Sequence, residues 1–123
     1  MERNANTVEV QRSNSSIDRL CSIDFARLAV WVDGEGTISC AGDGSRPYIA
    51  VVNKKKEAMD WLETTFGDLG IVYGPYKGGV SGKNYCYYWH VAKDSRKFIL
   101  KAILPYLVIK HRQANIMLAL FNN

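Results

Sequence analysis

Two acidic residues stand at the end of an otherwise apolar stretch. Asp33 and Glu35 flank Gly34, and residues 25–32 before them contain Arg27 as their one charged side chain. The C-terminal end of a helix carries unpaired carbonyl oxygens and partial negative charge, so a carboxylate is disfavoured there unless a cation joins it. Carbonyl and carboxylate oxygens are the ligands that Mg²⁺ and Ca²⁺ prefer. The group is a candidate divalent-metal site, and the alternative is an ordinary acidic turn.

The residues before the two acids have the spacing of a helix. Phe25, Leu28, Ala29 and Val32 recur at i, i+3, i+4 and i+7, which is one helical face. The other flank is also apolar, and such a helix is buried on more than one side. One side can meet the core of its own chain and the other a second helix. We predict that Ser22 caps this helix and that the glycines after Val32 end it.

The nonapeptide from Leu28 to Gly36 resembles the signature of the LAGLIDADG homing endonucleases in its D-G-E-G form. The resemblance implies a metal-dependent DNA endonuclease whose signature helix packs against that of a second subunit. It implies that Glu35 binds the catalytic Mg²⁺ or Mn²⁺, assisted by the Gly34 carbonyl. The third motif position is usually glycine and is Val30 here, a departure that works against close helix approach. The dimer interface implied by the resemblance consists of Leu28, Ala29, Val30, Val32 and Asp33.

A second stretch, residues 105–114, is similar to the C-terminal signature of the same family. Its Pro-Tyr-Leu sequence is followed by Lys110, and the family lysine at this position lies near the scissile phosphates. The resemblance therefore implies a catalytic role for Lys110, whose residue type alone would suit a solvated helix position equally well. It also implies that Asn53 positions water, unless Asn53 only caps the next helix. Together the two signatures extend the resemblance over residues 22–121.

Between the signatures the hydrophobic pattern alternates between strands and helices. We predict an α+β fold of the homing-endonuclease type, with element order αββαββα(α) and a four-stranded antiparallel sheet that forms a DNA-binding saddle. The helices cover the other face of the sheet. The predicted strands are 37–40, 46–52, 71–77 and 85–91, and the helices after the first are 55–66, 94–104 with Asp94 as its cap, and a last one opening at Tyr106.

The side chains on the outer face of the sheet are predicted to be polar and basic and to read base edges in the major groove. Ile38, Ile49 and Val51 are predicted to face the core, with Trp89 and Val91 on the fourth strand, although a slip of one residue there would reverse every side chain. Lys54 precedes a helix, where it either contacts a phosphate or is simply solvated. The candidate DNA-binding residues are Thr37, Ser39, Arg46, Tyr48, Lys54, Lys77, Lys83, Tyr85 and Tyr88.

Length and composition limit the number of domains and the class of partner. A chain of 123 residues has room for one domain, which we place at 22–123 after a flexible tail at 1–21. Residues 36–123 hold 12 Lys and Arg against 6 Asp and Glu, a balance that favours an anionic partner such as double-stranded DNA. The three cysteines form neither a zinc motif nor a disulfide framework. No apolar stretch is long enough for a membrane span, and we expect an intracellular protein located with the host DNA.

Three functions are compatible with these features. The first is a homing endonuclease that makes staggered double-strand breaks, with 3′ overhangs, at a long pseudo-palindromic target. The second is a maturase that binds intron RNA on the same scaffold and does not need the acid. The third is a non-catalytic DNA-binding protein. Val30 and the short first hairpin, which depart from the family pattern, are compatible with this function. Because the acid is present at Glu35, the sequence favours the endonuclease.

Overall fold

The computed structural model describes residues 19–40, 47–78 and 84–121. Most of the predicted tail, the turn that contains Arg46 and the loop that contains Lys83 lie outside the described residues. Short 3₁₀ turns follow or precede the helices at Gly67–Leu69, Lys93–Ser95 and Leu104–Tyr106. The main elements are α1 (Ser22–Glu35), β1 (Gly36–Ser39), β2 (Tyr48–Asn53), α2 (Lys56–Phe66), β3 (Gly70–Gly78), β4 (Asn84–Val91), α3 (Arg96–Ile103) and α4 (His111–Phe121).

The four strands form one antiparallel sheet in the order β1-β2-β4-β3. Two hairpins, β1-β2 and β3-β4, therefore meet at the pair of central strands β2 and β4. The helix α2 connects the hairpins, and α3 and α4 complete the chain. The predicted α+β architecture and element order are confirmed. None of the helices that the structure describes is long and apolar enough to cross a membrane.

The core lies between one face of this sheet and the helices. Ile49 and Val51 of β2 and Trp89 and Val91 of β4 are buried, which confirms the predicted direction of the two central strands. Trp89 also explains the glycine at the start of β3, because a Cβ at Gly70 would collide with the indole ring. Close packing of this kind fixes how the sheet sits under the helices.

The starts of two helices differ from the prediction. Helix α1 is capped by Cys21, whose N–H donates to the Asp24 carboxylate at 3.0 Å, so Ser22 is its first residue rather than its cap. The carboxylate on the third helical residue supplies the capping interaction here. Asp94 lies inside a 3₁₀ turn, and α3 begins at Arg96 after Ser95. Asp94 is therefore not the cap of that helix.

The last helix also begins later than predicted. Residues 107–110 are not helical, and α4 starts at His111. The N–H groups of Val108, Ile109 and Lys110 donate to the carboxylate of Asp33. Since one side chain fixes three successive N–H groups, this segment is held in place by α1 instead of by helical hydrogen bonds.

Candidate catalytic site and nucleic-acid interface

The Glu35 carboxylate is positioned where α1 ends beside the last residue of β2. The Asn53 amide donates from Nδ2 to Glu35 Oε1 at 2.8 Å, and its Oδ1 accepts from the Lys55 N–H at 2.7 Å. Asn53 thus links the carboxylate to the turn before α2, while the cap position of α2 is occupied by Lys55. An open groove of about 440 Å³ includes Glu35, Asn53 and Lys54 in its lining. Three predicted site residues therefore share one groove.

Lys110 is held at the same end of α1. Its Nζ donates to the backbone carbonyl of Asp33 at 2.8 Å, and its N–H donates to the Asp33 carboxylate at 2.9 Å. The carboxylate also accepts from Val108 at 2.7 Å and from Ile109 at 3.1 Å. Asp33 therefore positions the segment that carries Lys110. No sequence pattern indicates this role, because the partners are 75 to 77 residues apart.

The Asp33 contacts also affect its acidity. Partial burial opposes ionisation, but the hydrogen bonds from Val108, Lys110 and Ile109, together with the charge of Lys110, lower the pKa of Asp33 below its ordinary value of 3.8. A group with a lowered folded-state pKa stabilises the fold above its unfolded pKa. That stabilisation is lost as the pH falls through the folded-state value.

We expect Asp33→Asn to lower the free energy of unfolding by about 1–2 kcal/mol at pH 7, since a charged acceptor of three N–H bonds is lost at a partly solvated position. The difference from the wild type should begin to shrink below about pH 4, the unfolded-state pKa of an aspartate, and should be lost as the pH falls through the lowered folded-state pKa of Asp33. Urea unfolding at pH 7 and pH 3.5 measures both effects. Asp68→Asn, at an exposed carboxylate, is the control. A difference between Asp33→Asn and wild type that is unchanged at pH 3.5 would contradict this role.

The end of α1 offers part of a metal site. Glu35 provides an exposed carboxylate, and open space surrounds the neighbouring Gly34. Within the described ranges, no group of three or more His, Cys, Asp or Glu side chains comes together. One carboxylate with backbone carbonyls suits Mg²⁺, which keeps several waters and takes few protein ligands. Asp33 is engaged by the 108–110 segment, so Glu35 is the acid that fits the role.

The outer face of the sheet differs from the predicted basic surface. Cross-strand partners in an antiparallel sheet share a face, so the partners Ala50 and His90, Val52 and Tyr88, and Tyr73 and Tyr88 fix which residues point away from the helices. Among the described residues on this face none is Lys, Arg, Asp or Glu. The outer sheet face consists of Thr37, Ser39, Tyr48, Ala50, Val52, Ile71, Tyr73, Tyr76, Cys86, Tyr88 and His90.

Five of these residues form an aromatic cluster around His90. The His90 ring is stacked on Tyr48, with centroids 5.9 Å apart, and lies edge-on to Tyr73 at 5.3 Å. Tyr88 lies 6.2 Å from His90 and 6.0 Å from Tyr76. Burial, assisted by the positive charge of Arg96, lowers the pKa of His90 below 6.5. The lowered pKa favours the neutral form of the His90 ring.

The predicted DNA-binding residues separate into groups. Thr37, Ser39, Tyr48 and Tyr88 lie on the outer sheet face as expected. Lys77 pairs with Tyr85, and both lie on the opposite side of the β3-β4 hairpin from Tyr88. Their assignment to the same reading face was wrong. For Lys77 the cause is an irregularity in β3 between Tyr73 and Tyr76, and for Tyr85 it is the ordinary alternation of side chains along β4, which puts it opposite Tyr88. Sequence reasoning missed Tyr73 and Tyr76, and the irregularity explains the position of Tyr76 on this face.

The predicted dimer surface is smaller than the signature implies. Leu28, Ala29 and Val32 have no exposed area in the single chain, because they pack into its own core, and their placement at a subunit interface was wrong. Val30 is 69% exposed and Ile23 is 65% exposed. These two are the large apolar side chains that α1 leaves open. Asp33 turns toward the 108–110 segment instead of outward.

Neither the protein-family models nor the curated proteins give a match to this chain. Solved structures, in contrast, do match this chain. The homing endonuclease I-CvuI in complex with its target, in 2 mM Ca, matches with a TM-score of 0.57 and 21% identity, over 82% of this chain and 67% of that one.

I-CvuI in complex with the I-CreI target, in 2 mM Mg and with the DNA not cleaved, matches with the same TM-score and identity, over 81% of this chain and 66% of that one. The chain therefore spans about two thirds of the length of the structures it resembles. It has the homing-endonuclease fold that the two sequence signatures predicted.

Proposed function

We propose that the protein is a site-specific DNA endonuclease. It acts as a homodimer and makes staggered, divalent-metal-dependent double-strand breaks at a long pseudo-palindromic target. The observation that carries this proposal is the arrangement at the end of α1. Glu35 is held by Asn53 at 2.8 Å, and Lys110 is held at the same helix end through Asp33. The fold match to a homing endonuclease in complex with DNA supports the reaction class.

The roles of the residues follow from their chemistry. Glu35 would hold Mg²⁺ or Mn²⁺ with the Gly34 carbonyl, and the bound ion would activate water and stabilise charge on the phosphate. Asn53 fixes the carboxylate by its amide and can also orient water in the groove. Lys110 places a positive charge beside the site, where charge on the reacting phosphate develops. Lys54 is exposed in the same groove, where it can contact a backbone phosphate.

Two copies are required in this proposal. The described part of each chain offers one signature helix with one exposed acid, Glu35. Each Glu35 would serve one strand of the duplex. A two-fold protein favours a two-fold target, so the two half-sites should be related by an approximate palindrome. The open Val30 side of α1 is the surface on which the two helices would meet.

The test begins with selection of bound sequences from a random duplex library in Ca²⁺, which allows binding to be read apart from cutting. The selected duplex is then incubated with the protein in Mg²⁺ or in EDTA. We expect a double-strand break with 3′ overhangs in Mg²⁺ and intact DNA in EDTA. Binding without cleavage in Mg²⁺ or Mn²⁺ would favour a DNA-binding regulator instead.

We expect Lys110→Ala to slow cleavage by about 10²-fold, the size typical for loss of one group that stabilises transition-state charge. Binding should fall only a few-fold, because one phosphate contact among several contributes little affinity. Single-turnover cleavage and equilibrium binding in Ca²⁺ measure the two effects separately. Lys101→Ala, at an exposed lysine of α3, is the matched control. Equal losses of rate and affinity would show that Lys110 only anchors the DNA.

A further inference from the structure

The outer sheet face lacks the groups that most often specify guanine. Arginine and lysine read guanine through its O6 and N7 atoms in the major groove. Neither residue type occurs among the described residues of this face, and Tyr48, Ala50, Val52, Tyr88 and His90 occupy its central strands. If the face meets the major groove, the described residues can contact bases through apolar surface, hydroxyl groups and the His90 imidazole.

Thymine presents the one methyl group of the four bases in the major groove, and apolar side chains such as alanine and the threonine methyl contact it. The outer sheet face offers such surface in Thr37, Val52 and Ile71, whereas Ala50 is buried at 6% exposure. Beside them, Tyr73 is 41% exposed and Tyr76 is 48% exposed. The rings of Tyr73 and Tyr76 add apolar surface that can contact the methyl group, and their hydroxyls can add hydrogen bonds to base edges. The chemistry of the face therefore matches thymine better than guanine.

We propose that the outer sheet face recognises thymine methyl groups in the major groove, so that the bases beneath β2, β4 and β3 are rich in T·A pairs. This proposal rests on the proposed binding of duplex DNA and adds the base type that the face selects. Affinity from phosphates comes from lysines at its borders. Lys54 is exposed directly after Asn53, the last residue of β2.

The geometry favours methyl contacts over stacking of unpaired bases. Stacking of single-stranded bases needs free aromatic ring faces. In this cluster each ring already packs against another, with centroids 5.3 to 6.2 Å apart, and Tyr48 and His90 are stacked on each other. What remains open carries no Lys, Arg, Asp or Glu among the described residues, which suits contact with the edges of paired bases.

The experiment selects bound sequences from a random duplex library with the full chain in Ca²⁺. Deoxyuridine then replaces thymidine at the enriched positions, which removes the methyl and leaves the hydrogen-bonding edge unchanged. We expect thymine enrichment and a loss of affinity of about three- to fourfold for each buried methyl removed. Guanine at these positions, or equal affinity for the thymidine and deoxyuridine duplexes, would overturn the proposal.

Two tyrosines provide a matched pair of variants. Tyr76 and Tyr85 are 48% and 47% exposed and lie on opposite sides of the same hairpin. We expect Tyr76→Ala to lose part of the deoxyuridine penalty and Tyr85→Ala to retain it. The dependence of affinity on salt should be unchanged in Tyr76→Ala, since no phosphate contact is removed. A penalty that is equal in both variants would contradict the placement of the contact.

The outcomes for the two proposals differ. Cleavage of a bound duplex without methyl dependence would overturn the thymine proposal and leave the endonuclease standing. Methyl-dependent binding without cleavage in Mg²⁺ or Mn²⁺ would overturn the endonuclease proposal and leave the thymine proposal standing. Tighter binding of single-stranded oligonucleotides than of the duplex would overturn the thymine proposal in favour of base stacking.

Discussion

Glu35→Gln is expected to reduce DNA cleavage in Mg²⁺ by at least about 10³-fold while leaving binding in Ca²⁺ within a few-fold of wild type. A neutral amide is a poor ligand for a hard cation, and loss of the metal removes several kcal/mol of transition-state stabilisation, where each 1.36 kcal/mol is a factor of about ten. The substitution is conservative in shape. The glutamine carbonyl can still accept the hydrogen bond that Asn53 donates to Glu35, so the groove should keep its geometry.

Single-turnover cleavage of the selected duplex measures this effect, with binding in Ca²⁺ measured on the same preparation. Glu63→Gln is the matched control, because it removes one negative charge from an exposed glutamate of α2 that lies outside the groove. The control should cut at the wild-type rate. Full cleavage by Glu35→Gln in Mg²⁺ would refute the assignment of Glu35 as the metal ligand.

The parts of this fold that could be predicted are those where periodicity is set by burial. On β4 the alternation of Trp89 and Val91 with Tyr88 and His90 correctly separates the core from the outer face, because a half-buried strand has a period of two. Helix α1 follows in the same way from its spacing and its terminal glycines. The position of Glu35 at the end of that helix was therefore predictable as well.

The irregularity in β3 could not be predicted in this way. Tyr73 and Tyr76 are three residues apart and would point to opposite faces of a regular strand. The register shift between them puts both on the outer sheet face and turns Lys77 to the other side. One inserted residue reverses all side chains that follow. The sequence Gly74-Pro75 marks a break in the strand, but it does not say which faces result.

The role of Asp33 was beyond sequence reasoning for a different reason. The resemblance to the family signature implied a place for Asp33 at the dimer interface. Its actual partners, from Val108 to Lys110, belong to a segment 75 to 77 residues later. Only the tertiary contact reveals that α1 and the Lys110 segment are one unit.

Val30→Glu is expected to convert the proposed homodimer to a monomer and to abolish double-strand cleavage. Val30 is 69% exposed in the single chain, so a charged side chain there is tolerated by the monomer. Between two packed helices the same change would bring two carboxylates together without partners, and uncompensated buried charge costs several kcal/mol. Because each subunit would supply one Glu35, a monomer could at most nick one strand.

Sedimentation equilibrium with and without the selected duplex measures the assembly, and supercoiled plasmid carrying the target distinguishes nicking from double-strand cutting. Ile116→Glu is the matched control, since Ile116 is 55% exposed on α4 instead of α1. Thermal unfolding of both variants should stay near that of the wild type, because neither side chain is buried. Sedimentation of the wild-type protein also tests the effect of valine where the family has glycine. Because the larger Val30 side chain holds the two helices further apart, the free protein should associate weakly, and bound DNA should stabilise the dimer. The two-fold arrangement would be refuted if the wild-type protein were monomeric both with and without DNA and still made double-strand breaks.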